Sequence, residues 1–353
     1  MFPDPRLGNG LGALLDAAPA SMHDDLQKVA VYLNLFIVVQ DGETHARMRT
    51  AMNQAFRGDI ISGLSDQIQQ VADELLDRVQ AKDEMDACAD FATLLPAYVL
   101  CDFMGIPSQD RDRLMQWSTD FVDFFNIQPP TLDTSQRLVR SGLDLADYTK
   151  RLLADRRAHP RTDLLGTLAS GQSEAGGLTD DEIVGNAMML LVAGHISVRN
   201  LIGNAIYLLL THPEQRAKLQ AQPALLGSAV EETLRYEPPV SMIARIADQD
   251  FSCEGNAIRQ GQVVQLSIAS ANRDETRFPN ADTFDITRAP SRILSFGTGP
   301  HACIGAHLAR EEARIALETL FRRMPNLRLD ERRPVQWKRD AGNRGPLALP
   351  TLF

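Results

Sequence analysis

Phe296-Gly297-Thr298-Gly299-Pro300-His301-Ala302-Cys303-Ile304-Gly305 runs straight into a helical pattern, and its reading decides what the rest of the chain must build. Three glycines, a histidine and a cysteine fall within ten residues, with the cysteine where loop turns into helix. Glycine lets a backbone approach a flat ligand or take positive φ, and a helix start offers free N–H groups and a positive dipole end. A thiolate at Cys303 is stabilised by both and can serve as an anionic metal ligand. Haem iron held by a cysteine thiolate is the cofactor arrangement that needs those parts. Two other readings stay open for the loop taken alone. It can be a glycine-rich turn with a buried structural cysteine, or a His-x-Cys zinc half-site, although no partner pair of metal-ligand spacing occurs elsewhere.

Composition bounds the answer. The 353 residues suit one large domain or two ordinary ones, and 44% hydrophobic with 23% charged residues suits a core-forming globular protein. A net charge of −10 argues against nucleic acid as the main partner. No apolar run approaches a membrane span, and Met1-Phe2-Pro3-Asp4-Pro5 lacks the parts of a signal peptide. Cys88, Cys101, Cys253 and Cys303 are scattered and suggest no disulfide framework, which reads as a reducing, cytoplasmic setting.

Upstream of the loop the chain is mostly helical in pattern. A helix is expected from Thr44 to near Gly58, on which His45 and Arg49 share one face at i, i+4. Further helices are expected over 59–82, 91–104, 110–125 and 135–157, with residues 126–134 breaking the periodicity at Pro129-Pro130. Gly176-Gly177 precede Thr179-Asp180-Asp181-Glu182, a capping box that should start the longest helix, running to about Leu210. That helix is apolar almost all round and carries Ala193-Gly194-His195-Ile196-Ser197 at its middle, where Gly194 marks close approach of a flat ligand, local unwinding or helix packing. Glu232 and Arg235 lie on one face of a helix that Pro238-Pro239 ends. Strand-like runs follow at 242–246, 251–253, 256–258 and 263–268, and a last helix runs from the Cys303 loop to about Met324.

Taken in order, these motifs resemble the cytochrome P-450 family, and the likeness runs from about Asp4 to the C-terminus. Phe-Gly-x-Gly-x-His-x-Cys-x-Gly resembles its haem-binding loop. The resemblance implies a mainly α fold with a small β portion, as one domain over 1–353 with its core in 44–353. Residues 1–43 would be a shortened N-terminal region, because Pro3-Asp4-Pro5-Arg6-Leu7 resembles a segment that normally follows a first helix and the first sheet strands. A sheet lacking those strands would have an exposed edge for a homodimer contact or a partner protein.

The resemblance also assigns residues. Cys303 would be the axial metal ligand, with Phe296, Gly297 and Gly305 shaping its loop. His45, Arg49, Arg245 and His301 would meet the propionates of haem b (iron protoporphyrin IX). Glu232, Arg235 and Arg288 would form a structural ion cluster. Ala193, Gly194 and Ser197 would face the distal oxygen, but Ile196 stands where the family has an acid and Ser197 where it has threonine. Isoleucine cannot relay a proton. The implied function is oxidation of a small organic substrate in specialised metabolism, by hydroxylation or by atypical coupling, cyclisation or desaturation. A ferredoxin or flavodoxin-type donor would supply electrons; arginines such as Arg47 and Arg310 are candidates to meet it, although each taken singly reads as a solvated surface charge. The alternative is a haem-binding but catalytically weak protein acting as a scaffold or partner.

Overall fold

Thr179 starts the longest helix by a reciprocal cap: its hydroxyl accepts from Glu182 N–H at 3.3 Å while Glu182 Oε2 accepts from Thr179 N–H at 2.8 Å. The same carboxylate takes the Arg47 guanidinium, whose Nη1 also donates to Gly177 O at 3.0 Å. Burial opposes ionisation of Glu182, yet Arg47 and the cap hold its pKa below the usual carboxylate range. This computed structural model describes residues 4, 6–8, 15–126, 129–171, 177–338 and 342–353; Pro3, Pro5 and Gly176 lie outside them.

In chain order the elements are β1 (Leu7–Gly8), α1 (His23–Leu33), α2 (Gly42–Ala55), α3 (Gly58–Ser62), α4 (Ser65–Asp77), β2 (Glu84–Asp86), α5 (Leu94–Phe103), α6 (Arg111–Asn126), α7 (Leu132–Ala158), α8 (Leu164–Ser170), α9 (Asp180–Thr211), α10 (Pro213–Ala221) and α11 (Leu226–Tyr236). Then come β3 (Met242–Ala247), β4 (Phe251–Cys253), β5 (Asn256–Ile258), β6 (Val263–Ser267), α12 (Ile268–Ala271), α13 (Ala306–Arg323), β7 (Arg328–Leu329), β8 (Gln336–Trp337), β9 (Pro346–Ala348) and β10 (Pro350–Leu352). The fold is mainly α with a small β part, as the sequence implies. The expected helix over 59–82 is two, broken at Gly63-Leu64, and Asp163 caps α8, which the apolar pattern did not suggest.

Core helix α9 packs on α5, α6, α7, α11 and α13. By length and composition it passes for a membrane span, unlike the reading above, but 67% of its most apolar window is buried inside the protein. Phe121 and Phe124 of α6 are fully buried core residues. Strand β3 sits between β1 and β6, all antiparallel, and among the described residues β6 pairs on one side alone. The second sheet, β2-β10-β7, ties the C-terminus to the chain before α5.

Buried Glu312 on α13 has a carboxyl Oε2 with no hydrogen-bond partner, and burial holds its pKa well above the carboxylate range. The folded chain therefore binds this proton more tightly than the unfolded one, where the pKa is about 4.3. Its contribution to stability is full below that value and is lost as pH rises through the folded pKa. Glu312→Gln is expected to shift Tm little at pH 4 and to raise it progressively relative to the parent towards pH 8. A calorimetric difference that stays flat with pH would show that Glu312 does not titrate in this window.

Candidate functional site

Two glycines shape the loop before α13. Gly297 has φ of 67° and Gly299 φ of 80°, the left-handed region that a side chain resists. These turns bring Cys303 N–H to Phe296 O at 2.8 Å and Ala302 N–H to Gly299 O at 3.0 Å. Arg310, one turn into α13, lies 4.4 Å over the Phe296 ring and pairs with Glu231. Gly305 has an ordinary φ of −85°, and a Cβ there would meet no atom within 4 Å.

Cys303 is exposed by surface area, yet the surrounding protein is dense enough that burial pushes its thiol pKa up. Gly305 N–H and the charges of Arg49 and Arg310 act the other way and favour the thiolate. Cys88 and Cys101 differ: both are buried, and burial pushes their thiols up to about 12. Those two are the structural cysteines. Among the described residues no three metal-ligating side chains cluster, so the His-x-Cys pair gains no zinc partners.

A cationic group gathers beside this loop. Arg49 donates to Ala302 O at 2.6 Å, joining α2 to the residue before Cys303. The rings of His45 and His301 lie 4.1 Å apart, and His301 Nε2 is 3.0 Å from Asp41 Oδ1. His45 is buried, which lowers its pKa, and the His301 and Arg49 charges lower it further. Arg245 comes from the middle of β3, opposite Val264, and donates to Ala244 O at 2.9 Å. Burial lowers the pKa of both Arg49 and Arg245. Two desolvated guanidiniums and two imidazoles, offset by Asp41, suit a ligand carrying more than one acid group. With the exposed Cys303 alongside, the donor set fits a haem with its propionates.

Helix α9 packs directly on α13. Most of α9 is buried, but Ala193 is exposed at its middle, and Val192, Gly194, Ile196 and Ser197 are partly open. Ser197 Oγ bonds weakly back to Ala193 O at 3.3 Å. A Cβ on Gly194 would sit 2.9 Å from Leu100 Cδ2, so this glycine lets α5 pack closely, which was one of its three readings. His195 points the other way, buried, with Nδ1 2.9 Å from Leu191 O.

Behind the loop, the structure brings Glu232, Arg235 and Arg288 together. Arg235 grips Glu232 through Nε and Nη2 at 2.7 and 2.8 Å and gives its remaining hydrogens to Asn272 O, Ala281 O and Thr283 O. Arg288 reaches Glu232 at 3.2 Å, and Asp285 N–H adds a bond at 3.0 Å. Asn272 carries this order to the loop: its Oδ1 takes Leu294 N–H at 2.8 Å and its Nδ2 donates to Ser295 Oγ at 2.8 Å. The sequence analysis does not single out Asn272, whose role only the folded neighbourhood reveals. Arg47 and Arg310, read as docking charges, are both engaged within the chain by Glu182 and Glu231.

Comparison with known proteins agrees with this geometry. The cytochrome P-450 family model matches residues 17–334. A biotin biosynthesis cytochrome P-450 of Bacillus subtilis is 40% identical over 319 residues, covering 90% of this chain and 79% of that protein. The polyketide biosynthesis cytochrome P-450 PksS of the same organism is 36% identical over 320 residues, covering 89% and 76%. The crystal structure of P-450 BioI with an acyl carrier protein ligated to hexadec-9Z-enoic acid superimposes with a TM-score of 0.90 at 35% identity, covering 100% of this chain and 88% of that one. The chain belongs to the cytochrome P-450 family of haem b oxidoreductases.

Proposed function

We propose that the chain is a haem-thiolate monooxygenase or related oxidase in which Cys303 binds the iron, acting on a small organic substrate as a single domain over 1–353. The observation that carries this is the exposed Cys303 beside Gly305 N–H, Arg49 and Arg310, which favour its thiolate. Bound haem supplies reductive activation of dioxygen. The chain's own residues do the rest. Gly305 N–H and the two arginines hold negative charge on Cys303 Sγ. His45, Arg49, Arg245 and His301 would receive the two propionates and so hold the group in one orientation. Ser197 carries the side-chain hydroxyl of the stretch 193–197, and that hydroxyl, which donates weakly to Ala193 O, would turn from it to serve the distal side. Ala193, exposed beside it, leaves room.

The acyl group in the BioI complex makes a long-chain acyl compound the first substrate to test. A ferredoxin or flavodoxin-type protein would donate electrons, and the setting would be cytoplasmic. Haem-loaded protein, reduced under carbon monoxide, should give the red-shifted thiolate band; material that takes up haem without that band refutes Cys303 as ligand.

A second reading, a haem-binding but catalytically weak scaffold, draws on Ile196, which cannot hold a proton beside Ser197. Turnover with a surrogate redox pair separates the two. If proton supply is the weakness, Ile196→Glu is expected to shift several-fold more of the consumed NADH into product and less into hydrogen peroxide. Unchanged partition would mean that protons already arrive by another path.

A further inference from the structure

Beside the Glu232 cluster, α11 and the stretch 278–293 border a cavity of about 200 Å³, room for roughly seven waters at about 30 Å³ each. Every charged group on its wall already has a partner. Glu231 keeps both oxygens on Arg310, and Glu232 keeps both on Arg235 and Arg288. Arg235 has placed all five of its guanidinium hydrogens. Arg288 Nη1 donates to Pro279 O at 2.7 Å, and its Nη2 donates to Asn280 O and Thr283 O at 3.0 and 3.1 Å. Two carboxylates and two guanidiniums thus line the cavity with no net charge. An ionic ligand gains nothing there unless it breaks one of these pairs.

What remains for a ligand is different in kind. Phe278, Ala289, Pro290 and Ile293 make the rest of the wall apolar, Phe278 buried and Ile293 half-buried. Ser228 on α11 and Ser291 on the facing stretch add one hydroxyl each, and neither bonds to a described residue. An apolar hollow with a few placed polar groups is the usual make-up of a small-molecule site. This one also touches the cysteine loop. Ile293 stands directly before Leu294 and Ser295, the residues that Asn272 holds just ahead of Phe296. Whatever binds the ordered form of that stretch stabilises it by mass action.

We propose that this cavity is an effector site for a compact, neutral ring compound carrying a single hydroxyl or N–H group. The ring lies against Phe278, Pro290 and Ile293, and the polar group bonds to Ser228 or Ser291. Its presence steadies the stretch 293–296 that leads to Cys303. Binding is independent of the haem-thiolate reading, whereas the effect on Cys303 rests on it.

The test uses the haem-loaded protein with indole as the probe and 4-phenylimidazole occupying the distal side. Equilibrium dialysis should show one indole bound, and a crystal structure should place it between α11 and Pro290. Ala289→Trp, which fills the cavity from an exposed position, should weaken binding by about ten-fold or more while keeping the haem content. Ser228→Ala with Ser291→Ala should weaken it several-fold. Indole-3-acetate and tryptamine, the same ring with a negative or a positive charge, should bind about ten-fold more weakly or worse. At saturating indole the carbon-monoxide band should convert to its inactive form several-fold more slowly. Parental affinity in Ala289→Trp, equal binding of the charged analogues, or indole found elsewhere overturns the site. Binding that leaves the conversion rate unchanged overturns the coupling. Absence of the thiolate band in the parent would instead refute the haem-thiolate reading, while dialysis and the crystal structure still decide the site.

Discussion

Cys303→Ser is expected to leave the folded chain intact and to abolish both the thiolate-type carbon-monoxide band and oxidative turnover. The side chain is exposed and contributes little packing, so calorimetry on the haem-free variant should show a small change in Tm. What disappears is the anion. A serine hydroxyl stays protonated in a place where Gly305 N–H, Arg49 and Arg310 help a thiol to ionise. The loss in activity should exceed the roughly 10–100-fold seen when outer-shell partners of a metal ligand are removed. Cys101→Ser supplies the contrast: this buried cysteine lies in the core, so the band should persist while stability falls by about 1–3 kcal/mol for an unpaired buried hydroxyl. Should Cys303→Ser retain the band, another residue binds the iron and the site has been misassigned.

Different parts of this molecule were legible in the sequence to different degrees, for physical reasons. The α9 cap was readable because Thr179 and Glu182 satisfy each other locally, within one turn. The Cys303 loop was readable because positive φ at Gly297 and Gly299 leaves a glycine signature. The meeting of His45 and Arg49 with His301 was not derivable from spacing, since more than 250 residues separate them and only the family resemblance brought them together. Gly194 shows how one signal serves several causes. A mid-helix glycine reads alike for a ligand, an unwound turn or a close helix, and here Leu100 is the neighbour. Arg47 and Arg310 keep part of their surface in solvent, but the sequence could not show which carboxylate each would find.

Glu232→Ala is expected to be the most destructive single change in the chain. It leaves Arg235, a guanidinium with a side chain 2% exposed, without its anion and also strips Arg288 of a contact. Breaking a buried pair in this way costs about 3–5 kcal/mol, against a typical total stability of about 5–15 kcal/mol. Arg235→Lys should come close to the same loss although it keeps the charge. An ammonium has three donors at one point, whereas Arg235 places five around a plane to meet Glu232 twice and three backbone carbonyls besides. At least two of those buried acceptors would go unpaired, at about 1–3 kcal/mol each. Arg288→Lys should be milder, because its side chain is 17% exposed and water can replace part of what is lost. Urea midpoints of the haem-free proteins should therefore fall in the order parent, Arg288→Lys, Arg235→Lys, Glu232→Ala. Where a variant still folds, Asn272 is the route by which damage reaches the loop, since it bonds Leu294 and Ser295 just ahead of Phe296. The carbon-monoxide band should then convert towards an inactive form even in haem-loaded material. An Arg235→Lys protein with parental midpoint and band would mean that charge alone sustains the cluster, and that the planar fork of Arg235 is not what holds the cysteine loop in place.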